Sequence, residues 1–169
     1  MIIVLRPPDR AGPLRIGATG QDAVDTLRQL GTPMVLCRAA GSGPGLGVDR
    51  PSGLFIGVYC DADDRVEAIE LGRPDDNTGD AVTYNDLDVF TTPAADLVTQ
   101  LRRRTTVHEA EDGHAFTAPD LLLTFWRPTT PESPADEDAH FFASVLLARP
   151  GYHDQAADEH QSPRPIHRP

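Results

Sequence analysis

The stretches LRIGATGQDAVDTLRQL (residues 14–30) and LDVFTTPAADLVTQLRRR (residues 87–104) share one pattern: an apolar entry, a polar turn, then apolar residues at helical spacing. Both run on into strand-like sequence. The first continues to LFIGVY (54–59) and VEAIELGRP (66–74), the second to LLLTFW (121–126) and ASVLLARP (143–150). A pattern that recurs in this order predicts one fold unit used twice. In the first copy Ala23, Leu27 and Leu30 fall at i, i+4 and i+7 beside Val24, which makes one apolar helix face. Thr19 caps that helix, Asp22 completes a capping box, and Gly31 with Pro33 ends it. In the second copy Thr92 caps, Pro93 takes the first helical position, and Leu97, Val98 and Leu101 form the face.

The remainder alternates with the period of a strand. Leu54, Ile56 and Val58 interleave with Phe55, Gly57 and Tyr59, and an acidic turn at 61–64 leads to a return strand at 65–71. Leu121, Leu123 and Phe125 interleave with Leu122, Thr124 and Trp126, with a return strand at 141–149. Further strands are expected near 34–39, 81–84 and 87–90. Residues 107–117 read as a hairpin turning at 111–114. The expected fold is therefore α+β: two tandem repeats, each one helix plus three or four antiparallel strands, forming a continuous sheet with both helices on one face. The repeats span 1–85 and 86–154 within one compact domain, and 155–169 reads as a poorly ordered tail.

Charge narrows the range of partners. The chain has 169 residues and a net charge of −11, from 26 acidic and 15 basic side chains. Such a surface repels phosphate backbones, so no nucleic acid is expected as a partner. The run Arg102, Arg103, Arg104 fits the last turn of a helix, where cations complement the dipole. Every basic residue is Arg, a usage that suggests a G+C-rich genome such as that of an actinobacterium. The apolar start before Arg6 is too short for a secretory signal, and no run approaches the ~18 apolar residues of a membrane span. The expectation is a cytoplasmic protein with no membrane contact, in which Cys37 and Cys60 stay reduced.

Catalytic signatures are missing from the sequence. The glycine loop at 41–47 has neither the spacing nor the Lys of a phosphate cradle. Asp61, Asp63 and Asp64 could hold a hard cation, but Val66 stands where a calcium loop needs Gly, and Asp favours turns for its own backbone bonds. His108, His114, His140, His153, His160 and His167 form no metal-ligand spacing. No nucleophile elbow appears either. The expectation is a protein that is not an enzyme and needs no cofactor or metal.

The aromatic residues point elsewhere. If the helices cover the face bearing Leu54, Ile56 and Val58, then Phe55, Tyr59, Leu122 and Trp126 lie on the opposite face, with Phe142 and Leu146 beside them. Two short helices rarely cover both faces of a wide sheet. An open face with aromatic residues near acidic loops suits a protein partner, so Phe55, Tyr59, Asp61, Asp63, Asp64, Leu122 and Trp126 are the candidate partner-binding residues. Alternation alone also permits the converse, with the aromatics in the core and the aliphatic row outside.

Within residues 14–33, Gly17, Thr19, Val24, Leu27, Leu30, Gly31 and Pro33 match a motif of strand, turn and helix. In this the segment resembles the β-lactamase inhibitory protein family and the outer-membrane assembly lipoprotein that shares its fold unit. The resemblance implies a duplicated unit whose concave antiparallel sheet grips a partner protein. A small, acidic, duplicated scaffold also resembles the immunity proteins of polymorphic toxin systems, which present acidic surface to a toxin. The expected function is thus a protein-binding scaffold, an immunity or inhibitor protein that blocks a toxin or enzyme. The alternatives are a small-ligand-binding or enzymatic domain, and a structural module that forms a homodimer through the same face.

Overall fold

The apolar run after Met1 forms a strand, β1 (Ile2–Arg6), and it organises a sheet of its own. The computed structural model describes residues 1–36, 43–75, 79–131, 133 and 136–152. After β1 the chain forms β2 (Arg10–Ala11) and β3 (Leu14–Arg15), then α1 (Gly20–Leu30). A meander follows: β4 (Met34–Leu36), β5 (Gly45–Asp49), β6 (Phe55–Cys60) and β7 (Val66–Gly72). Next come the hairpin β8 (Ala81–Tyr84) and β9 (Leu87–Asp88), and α2 (Ala94–Arg102). A second meander closes the described chain: β10 (His108–Glu109), β11 (Ala115–Ala118), β12 (Leu123–Trp126) and β13 (Ser144–Ala148).

Two sheets result. The larger has eight strands in the order β10-β11-β12-β13-β7-β6-β5-β4, so the meanders meet where β7 and β13 pair antiparallel. The smaller has five strands in the order β3-β2-β1-β8-β9, and there β1 and β8 pair in parallel. Residues Val48, Ile56, Leu71, Val145, Phe125 and Phe116 lie in register across six strands of the large sheet. All six are buried in one apolar cluster, which also takes Ile3, Leu5 and Val82 from the small sheet and Leu27, Leu97 and Leu101 from the helices. One continuous core therefore cements both sheets and both helices.

The α+β expectation is overturned. Among the described residues 38% is strand against two short helices, and the molecule is closer to all-β. The tandem-repeat arrangement on one continuous sheet is overturned with it. The physical reason lies in the segments ahead of each helix: instead of extending the large sheet, β1 and β8 leave it and pair with each other. The expected boundary at 85/86 cuts between the two residues that join β8 to β9.

Local corrections have local causes. The first helix starts as expected, with Thr19 Oγ1 accepting from the Asp22 amide at 3.1 Å. Thr92 does not cap the second: Pro93 occupies the cap position with no side-chain bond, and Asp88 instead accepts from the amides of Phe90 and Thr91 at 2.9 and 3.0 Å. The expected strand from 121 begins only at Leu123, because Pro119–Leu121 makes a 3-10 turn and Leu122 adopts a left-handed conformation with φ 56°. The 107–117 hairpin is present as β10 and β11. Expectations for Cys37, for residues 37–42 and for the tail from 155 lie outside the described residues.

Candidate protein-binding face

The face of the large sheet turned away from the core is defined by register. One row crosses it as Asp49, Phe55, Gly72, Ser144, Trp126 and Ala115. Beside it runs a second row, which includes Gly57, Glu70, Leu146, Thr124 and Thr117. Along β11, β12 and the first four residues of β13 burial alternates, so the outward residues of these strands remain partly or fully exposed while their neighbours are in the core. That is the signature of a sheet with one wet face. A third row, Tyr59, Ala68 and Ala148, is buried at both alanines, so the open part of the face lies toward Trp126.

Trp126 is 43% exposed, the most exposed aromatic among the described residues. Its cross-strand partners are Ala115 and Ser144, too small to cover an indole. Phe55 shares the row but not the freedom. A Cβ placed on Gly47 or Gly57 would meet its ring at 2.9 Å, and one on Gly72 would meet its Cβ at 3.0 Å. The ring therefore lies down on bare glycine backbone and covers the sheet's own polar groups. Between Phe55 and Trp126 are Gly72 and Ser144, so the two aromatics bracket a shallow trough about 14 Å wide, three strand spacings. Leu146 and the hydroxyl pair of Thr117 and Thr124, 3.2 Å apart, line the adjoining row.

The other candidates are employed structurally. Tyr59 Oη donates to Glu70 Oε2 at 2.6 Å across the strands. Asp61 Oδ1 accepts from the amides of Asp63 and Arg65 at 3.0 and 2.9 Å, and its Oδ2 lies 3.8 Å from Arg149. Arg149 also holds the buried Glu67 at 3.1 Å, which ties the β6–β7 turn to the end of β13. Asp63 projects from the turn into solvent, whereas Asp64, left-handed at φ 56°, sets its carboxylate against Gly20 at the start of α1. The acidic tip is thus first a turn. Leu122, expected on the outer face, is rotated by the 3-10 turn to pack against the core. Phe142 is likewise in the core, 5.5 Å from Phe116 and 5.3 Å from Phe125 between ring centres. Leu146 does stand on the outer face.

Sequence reasoning passed over a buried charge cluster. Asp80 has 4% side-chain exposure and accepts from Arg50 at 3.1 Å and Ser52 at 2.6 Å, with the ammonium of Met1 at 2.8 Å. Burial alone would raise its pKa, but Arg50, the ammonium and Ser52 together hold the carboxyl well below the usual carboxylate range. Nothing in the local sequence marks it, since Arg50 and Asp80 are distant in the chain. Among the described residues no three His, Cys, Asp or Glu side chains come together as metal ligands, and His108, His114 and His140 stay apart. No described helix is long and apolar enough to cross a membrane. Compared with known proteins, the chain matches no family model, no curated protein and no solved structure.

Proposed function

We propose that the protein binds a protein partner through the open face of its large sheet, in the manner of an inhibitor or immunity protein that blocks a toxin or enzyme. The row running from Phe55 through Gly72 and Ser144 to Trp126 carries this reading: it is a shallow, part-apolar trough on a rigid sheet, with one exposed indole at its edge. Aromatic anchors of this kind supply most of the energy in protein interfaces. The net charge of −11 favours a basic partner and speeds its approach. In this reading Trp126 is the anchor, Leu146 and Ser144 are its neighbours, and Phe55 and Tyr59 support the floor of the face.

Affinity capture with the full chain, followed by titration of the captured partner, tests this directly. Trp126→Ala and Leu146→Asp should each weaken the complex by about tenfold or more, while the circular dichroism spectrum stays unchanged. The partner's own activity should be suppressed in the complex. Unchanged affinity for both variants would contradict the assignment of the face.

A further inference from the structure

A second feature lies away from the open face, at the end of the parallel pair of β1 and β8. In a parallel pair both carboxyl ends arrive at the same edge. Here the chain leaves that edge in two directions, through Pro7 and Pro8 toward β2 and through Asn85 and Asp86 toward β9. The divergence opens a groove of about 460 Å³, within the range of small-ligand sites.

Its chemistry is specific. Leu5 and Tyr84 are buried beneath it and Leu121 borders it, so part of the wall is apolar. Arg6, Thr83, Asn85 and Asp86 supply polar side chains, and none of the four hydrogen-bonds or ion-pairs through its side chain to another described residue. Elsewhere Arg15, Arg28, Arg50, Arg102 and Arg149 each hold a carboxylate. In the groove Arg6 and Asp86 face the same space without closing on one another. Asn85 and Asp86 are both left-handed, with φ 49° and 64°, as the two-residue turn of the β8–β9 hairpin requires, and this turn fixes where Asp86 is presented.

We propose that this groove binds a small zwitterion, the adjoining carboxylate and ammonium of a free α-amino acid. The Arg6 guanidinium takes the carboxylate through its planar fork, and Asp86 takes the ammonium. Thr83 and Asn85 add hydrogen bonds, while Leu121 and the apolar floor pack against the aliphatic carbons. The charge of the whole chain favours this class. At −11 it repels phosphates and other polyanions, whereas a zwitterion has no net charge to repel.

Isothermal titration of the full chain with each proteinogenic L-amino acid, with amide NMR to map the site, tests the proposal. At least one should bind saturably near or below about 1 mM, with shifts centred on residues 4–7 and 83–86. Its N-acetyl and amide derivatives should each bind about tenfold more weakly, as should Arg6→Gln and Asp86→Asn. Asn tolerates the left-handed backbone, so the second variant keeps the turn. No binding up to about 10 mM would overturn the proposal. So would equal binding of the blocked derivatives, unaffected binding by the variants, or shifts mapping away from the groove. Loss of the protein partner by Trp126→Ala would leave this binding untouched, because the two sites share no residue.

Discussion

At the scale of single residues, the sharpest test of the packing is Asp80. Its carboxylate is buried between Arg50, Ser52 and an ammonium, so removing its charge leaves Arg50 without its carboxylate partner. Asp80→Asn should cost about 3 kcal/mol in a urea denaturation at neutral pH. The pH dependence has a definite sign. The folded pKa lies below the unfolded value of about 3.9, so the contribution is complete above that value and is lost as pH falls through the acid range. Wild-type protein should therefore lose stability more steeply than Asp80→Asn below about pH 4. Parallel curves would show that Asp80 is not the group responsible. Trp126 makes the opposite case: at 43% exposure its loss should change stability by less than about 1 kcal/mol in the same assay.

At the scale of elements, β6 shows how a strand pays for glycine. Gly57 offers no side chain to its neighbours, and Phe55 folds over it and over Gly47 and Gly72 to fill the gap. Gly57→Ala should displace the ring and cost about 1–2 kcal/mol, and the cost should largely disappear in a Phe55→Ala background. Additive effects in that double-mutant cycle would contradict the contact. The same strand shows what could be read in advance. Alternation correctly separated Ile56 and Val58 from Phe55 and Tyr59, since burial of one face imposes a period of two. It failed at Leu122 because a 3-10 turn breaks the period, and nothing in LLLTFW marks where a strand begins. It failed at Phe142, which lies before β13 and not within it. The strands near 81–84 and 87–90 are legible, but the two residues between them, Asn85 and Asp86, read as a boundary between repeats and not as the turn of a hairpin.

At the scale of the whole molecule, the two halves of the chain are interlocked. β8 pairs with β9 and β7 pairs with β13, so each sheet is completed only when both halves are present. A fragment of residues 1–85 should show no cooperative urea transition, whereas the full chain should unfold in one step by both fluorescence and circular dichroism. Cooperative folding of the fragment would contradict this interlocking. The helices and most strands of the meanders could be read from capping and periodicity. The second sheet could not, because parallel pairing of β1 with β8 joins segments distant in sequence and leaves no local signature. With the small sheet and both helices feeding one core, the outer face of the large sheet around Trp126 stays exposed, and the proposed function rests on that face.

Hydroxyl-radical footprinting of the free protein and of its complex with the captured partner tests that claim most directly. Trp126 and Leu146 should oxidise readily in the free chain and become protected in the complex, while Asp63, Asp64 and Val35 keep their reactivity. Protection of the acidic turn or of the β4 edge, with Trp126 still reactive in the complex, would place the partner elsewhere and contradict the account.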